Sequence, residues 1–94
     1  MEKNSLLKEV KVKVTNEAGL HARPASEFVQ AAKKFKSTIR VIKDGVEADA
    51  KSIISVLSLG VEKGMEISII ADGEDAEEAI KELVRIIKKN GDGS

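Results

Sequence analysis

The chain has no cysteine, tryptophan or tyrosine, and only two phenylalanines, one proline and one histidine. Without cysteine, disulfides and thiolate metal sites are excluded. A lone histidine cannot build a histidine-rich metal centre, so neither a metal nor a cofactor is expected. The scarcity of aromatic rings removes the stacking platforms on which single-stranded nucleic acids are bound. Nor does either charge dominate, because 16 basic residues balance 16 acidic ones. No field draws in a polyanion, and no nucleic-acid partner is expected. The longest uncharged stretch, Ser52 to Val61, falls well short of the roughly 20 apolar residues that span a bilayer, which argues against membrane insertion. The opening Met1-Glu2-Lys3-Asn4-Ser5 lacks the basic and then apolar layout of a secretory signal. These absences predict a soluble, cytoplasmic domain, and a monomer is expected.

At 94 residues the chain can bury only about 60 to 65% of its unfolded surface, enough for one core. A single domain over 1–94 is expected, with its core at about 7–89 and short polar termini. Leu6-Leu7-Lys8-Glu9 leads into Val10-Lys11-Val12-Lys13-Val14, whose strict alternation predicts a half-buried strand. Thr15 to Gly19 reads as a loop. Ala25, Phe28, Val29, Ala32 and Phe35 then recur at helical spacing, predicting a helix over roughly 22–35 in which Pro24 sits in the first turn. Ile39-Arg40-Val41 and Val46 to Ala50 flank Asp44-Gly45, a hairpin signal. Ser52 can cap a short helix over Ile53 to Leu59 that Gly60 ends. Met65 to Ala71 is a fourth strand. A final helix from about Asp75 to Lys89 aligns Ala76, Ala79, Ile80, Leu83, Val84 and Ile87, with Gly91 to Ser94 as a frayed tail.

The order β-α-β-β-α-β-α predicts an α+β fold, a four-stranded antiparallel sheet with three helices on one face. Lys11, Lys13, Arg40, Glu47 and Asp49 belong to the opposite, wet face.

His21 stands where a glycine-containing loop enters a helix, in Gly19-Leu20-His21-Ala22-Arg23-Pro24-Ala25. An imidazole lone pair is a competent nucleophile near neutral pH. A helix start supplies free N–H groups and the positive end of the dipole, which suit a phosphoryl group. Pro24 has no N–H, so the donors are Ala22 and Arg23, and the Arg23 guanidinium adds a fork for the same phosphate. The plainer alternative makes His21 an N-cap or a surface residue without chemistry. Ser52 likewise reads either as a helix cap or as a modification site, where a phosphate at a helix start is tolerated by the fold. Ile53, Ile54, Val56, Leu57 and Leu59 are too many apolar residues for one side of a short helix. Ile53, Ile54 and Leu57 are either singly exposed residues or a contiguous docking patch.

The segment 19–25, together with Ala50-Lys51-Ser52-Ile53-Ile54-Ser55-Val56-Leu57-Ser58-Leu59-Gly60, resembles HPr, the family of histidine-containing phosphocarriers in the bacterial phosphoenolpyruvate-dependent sugar phosphotransferase system. The resemblance runs from about Leu7 to Lys89 and implies an open-faced β-sandwich. It also implies that His21 accepts a phosphoryl group on Nδ1 from phosphorylated enzyme I and hands it to IIA domains of sugar permeases, with Arg23 contacting the phosphoryl group. The chain is then a carrier rather than an enzyme. Ser52 corresponds to the serine modified by HPr kinase/phosphorylase in Gram-positive bacteria, whose phosphorylated form acts with the catabolite control protein in carbon catabolite repression. Leu20, Ile53, Ile54 and Leu57 correspond to the docking surface. Ser55 departs from relatives that have glycine or lysine there. A purely regulatory module is disfavoured, because relatives of that kind lack the histidine. A Ser26-based hydrolase triad is weaker still, since no nucleophile elbow is present.

Overall fold

The computed structural model describes residues 6–88. The expected frayed tail and the expected helix end at Lys89 lie outside those residues. Seven elements follow in the predicted order: β1 (Leu7–Lys13), α1 (Ala22–Lys33), β2 (Thr38–Lys43), β3 (Val46–Asp49), α2 (Ile53–Ser58), β4 (Glu66–Asp72) and α3 (Ala76–Lys88). The strands form one antiparallel sheet in the order β1-β4-β2-β3.

Placing β4 between β1 and β2 gives it two partners, and its Ile67, Ile69 and Ala71 are buried on the helix side. Val12 of β1 and Ile39 and Val41 of β2 join them. The wet-face residues Lys11, Lys13, Arg40, Glu47 and Asp49 are all exposed, as alternation requires. β1 starts earlier than the clean alternation suggests, because Leu7, Lys8 and Glu9 pair with Asp72, Ala71 and Ile70. The hairpin between β2 and β3 turns through Asp44 and Gly45, both at positive φ (53° and 80°), the twist-compatible turn expected of that dipeptide.

From α1, Ala25, Phe28, Val29, Ala31 and Ala32 are buried, and from α3, Ala76, Ala79, Leu83, Ile86 and Ile87. Fully burying a Val, Leu, Ile or Phe side chain contributes about 1.5–3 kcal/mol before entropy is counted, so these stripes hold the helices on the sheet. Phe35 lies just beyond α1, half-buried, and its carbonyl accepts a bond from Lys51 Nζ (2.8 Å). That contact ties the end of α1 to the approach to α2. The start of α3 is tied down as well: the Asp75 carboxylate accepts from Lys36 N–H (2.8 Å), Ser37 N–H (2.9 Å) and the Ser37 hydroxyl (2.5 Å).

Two loops at one end of the molecule position His21: residues 14–21, leaving β1, and residues 60–65, entering β4. Val14 N–H donates to Met65 O (2.8 Å) and Gly64 N–H to Val14 O (2.8 Å), extending the β1/β4 pairing into both.

Candidate functional site

The loop before α1 has a defined shape. Asn16, buried, accepts from Ala18 N–H on its side-chain oxygen (2.9 Å) and from Gly19 N–H on its carbonyl (3.0 Å). Such a local turn is what an Asx side chain supplies. Gly19 then adopts φ +61°, and a Cβ there would meet Val61 O and sit 2.7 Å from Glu62 Cα. Only glycine permits both the conformation and the approach. Leu20 N–H donates to Val61 O (3.0 Å), and Lys63 pairs with Glu17 at 2.7 Å. The Lys63 ammonium bonds the Glu17 carboxyl and holds its pKa below the ordinary glutamate value.

The path of this loop corrects one expectation. Leu20, assigned above to the docking surface, is only 1% exposed. The bond to Val61 and the close packing at Gly19 turn its side chain into the core, where it cannot meet a partner.

His21 occupies the N-cap position of α1 with extended backbone (φ −128°, ψ 163°), yet its side chain makes no capping bond. The plain capping alternative therefore does not describe it. Ala22 follows at φ +52°, a left-handed conformation that costs a residue with a Cβ roughly 1–2 kcal/mol. The first bond returning to the helix start is Ala25 N–H to His21 O, at 3.4 Å. Lying in the first turn, the Ala22 and Arg23 amides meet no acceptor among the described residues, and Pro24 has no N–H to add to them. The Arg23 side chain is exposed and makes no ion pair among them either.

The imidazole is 40% exposed, but its two nitrogens differ. Nε2 is closed off from solvent without a hydrogen-bond partner. Glu62 Oε2 lies 3.8 Å from it. Nδ1 has no partner among the described residues and is not closed off as Nε2 is. An open ring nitrogen followed directly in the chain by two unbonded amides and an exposed arginine can receive an anionic group. Glu62 escaped the sequence reading, because nothing in Val61-Glu62-Lys63-Gly64 marks a residue that the fold returns to His21.

Ser52 is the N-cap of α2, and its hydroxyl oxygen accepts Ser55 N–H at 3.3 Å. The expected split of α2 is present: Val56 and Leu59 are buried, while Ile53 (38%), Ile54 (73%) and Leu57 (38%) are exposed. Ile53 lines a groove against α1 with Ser26, Val29, Gln30 and Lys33. Ser26 is exposed and makes no hydrogen bond to His21, so the two do not form a nucleophile–base pair. Among the described residues no cluster of three metal-ligating side chains occurs, and no helix is long and apolar enough to cross a membrane.

Comparison with known proteins agrees with this geometry. The family model described as PTS HPr component phosphorylation site matches residues 8–89. The HPr-like protein Crh of Bacillus subtilis is 44% identical over 79 residues, covering 84% of this chain and 93% of that protein. The crystal structure of the phosphocarrier protein HPr from Bacillus anthracis superposes with a TM-score of 0.87 at 40% identity, covering 90% of this chain and all (100%) of that one. The HPr dimer from Thermoanaerobacter tengcongensis is 52% identical, with a TM-score of 0.69, over 85% of this chain and 92% of that one.

Proposed function

The chain belongs to the HPr family of phosphocarrier components, and on that premise we propose that His21 takes a phosphoryl group from phosphorylated enzyme I and passes it to IIA domains of sugar permeases. The observation that carries this reading is the asymmetry of the imidazole, Nε2 covered and Nδ1 open, beside the free amides of Ala22 and Arg23.

In the loading step the Nδ1 lone pair attacks phosphorus in line with the donor. The bond from phosphorus to the donor histidine breaks, and its electron pair returns to the donor ring. Unloading repeats this with His21 as the leaving group. Nothing but the phosphoryl group is exchanged, so the chain's task is positioning and charge stabilisation. The Ala22 and Arg23 amides and the Arg23 guanidinium face the phosphoryl oxygens, where charge-assisted bonds are strongest. The phosphoramidate formed is labile enough to be passed on.

Donor and acceptor must each reach the same imidazole in turn, which an exposed site permits. Ile53, Ile54 and Leu57 serve as the apolar contact, with a polar rim, as a transient interface requires. We propose further that the carrier is cytoplasmic and acts as a monomer; sedimentation at micromolar concentration checks the monomer against the dimeric relative.

The test is labelling of the purified chain with phosphoenolpyruvate and enzyme I. Acid-labile label in wild type, and none in His21→Ala of unchanged circular dichroism, is the expected result. An unlabelled wild type, with the same enzyme I active on another carrier, overturns the reading.

Ser52 supports a regulatory branch alongside transport. It opens α2 directly before the exposed Ile53 and Ile54, so a phosphate there changes the charge of the docking surface while the helix start tolerates it. Modification by HPr kinase/phosphorylase and pairing with the catabolite control protein are the proposed consequence. ATP-dependent label that is lost in Ser52→Ala tests it.

A further inference from the structure

Glu62 is not among the residues that the phosphocarrier reading uses, yet the fold brings its carboxylate to the covered side of the His21 ring. Its backbone is held from both directions. Met65 N–H donates to Glu62 O (3.1 Å), Glu62 N–H points at Met65 Sδ (3.3 Å), and Leu20 N–H bonds the preceding carbonyl, Val61 O (3.0 Å). The absent Cβ of Gly19 lets Glu62 Cα approach closely. The side chain itself is free to adjust, being 67% exposed. At 3.8 Å, Oε2 is beyond hydrogen-bond range of Nε2 by a few tenths of an ångström, a gap that side-chain rotation of an exposed glutamate can close. Nε2 has no other partner, and a shielded nitrogen without one is costly.

We infer that Glu62 is a positioning residue for phosphoryl transfer: its carboxylate takes the Nε2 proton as a hydrogen bond, which holds the neutral ring in the tautomer whose lone pair is on Nδ1. The inference deepens the phosphocarrier reading and rests on it for its functional half. When Nδ1 bonds phosphorus, the ring gains positive charge that is shared with Nε2–H, and the carboxylate faces that charge. Glu62 donates and accepts no proton in the net reaction. It orients the imidazole as a carboxylate orients a catalytic histidine elsewhere, and acts only through His21.

The experiment uses the full chain, labelled with 15N, as wild type, Glu62→Ala and Glu62→Gln. Two-bond correlations of the His21 ring, recorded where the imidazole is neutral, report the tautomer directly. Wild type is expected to show a protonated Nε2 and an unprotonated Nδ1. Glu62→Ala is expected to show averaged nitrogen shifts, and Glu62→Gln, whose amide oxygen still accepts, to restore the wild-type tautomer. Phosphoryl transfer from enzyme I should fall about two- to fivefold in Glu62→Ala, the size appropriate to an exposed charge pair. Wild-type ring shifts in Glu62→Ala overturn the inference, whatever the transfer rate. If ring shifts respond to Glu62 while wild type takes no label from phosphoenolpyruvate and enzyme I, the phosphocarrier reading fails and the orienting contact stands.

Discussion

α1 and α2 begin alike and end up differently equipped. His21 and Ser52 both hold extended backbone at the N-cap position, with φ −128° and −118°. Ser52 folds its hydroxyl back onto Ser55 N–H, so part of the start of α2 is satisfied from within. His21 makes no such bond, Ala22 is held left-handed, and two amides stay open. A capped start contributes to stability, whereas an open, strained start forgoes that contribution and leaves donors for an incoming anion. The two residues for which chemistry is proposed therefore differ in kind: His21 is poised, while modification of Ser52 must compete with a bond it already makes.

The strongest way to break this contrast is to push the two loops apart. Gly19→Ala puts a Cβ against Val61 O and Glu62 Cα at a positive φ. A loss of about 2–4 kcal/mol in urea unfolding is expected, from left-handed strain plus overpacking. Label at His21 should fall with it, because Leu20, His21 and Glu62 are all placed by that contact. Wild-type stability in Gly19→Ala would mean that the loops are not held as described.

A smaller effect sharpens the other side. Ser52→Ala removes the α2 cap and should cost about 1 kcal/mol, and Ser52→Gly only a few tenths. Phosphoryl transfer through His21 should stay within about twofold of wild type in both, since a helix cap acts only over the first turn. A larger change would show that the two helix starts are coupled.

The third helix start extends the comparison to pH. The Ser37 hydroxyl, foremost, and the Lys36 amide hold the Asp75 carboxyl below its ordinary value of 3.8. A depressed carboxyl stabilises the fold fully above the unfolded value, and that contribution disappears as pH falls through the folded one. Asp75→Asn should therefore flatten the acid limb of stability against pH, below about pH 4, and leave the profile between pH 6 and 8 parallel to wild type. Equal acid sensitivity in Asp75→Asn and wild type would count against the assignment.

Much of this was legible along the chain. Val10 to Val14, the α1 stripe from Ala25 to Ala32 and the α3 stripe from Ala76 to Ile87 carry periods that name their own structure. Asp44-Gly45 requires its turn, and α2 has more apolar residues than one short helix can turn inward. Leu20 shows where such reading stops. Its neighbours give no periodicity, so only the bond to Val61 reveals that it points into the core.

By itself, then, the sequence determined the order of elements, the wet and dry faces of the sheet, and a histidine and arginine at a helix start, because hydrophobic period, turn chemistry and the missing N–H of Pro24 act over a few residues. Tertiary structure alone decided that Leu20 is core, that Ala22 is left-handed, and that Glu62 stands beside Nε2. Those outcomes depend on how the loop after β1 packs on the loop before β4, segments far apart along the chain that meet only because β1 and β4 pair.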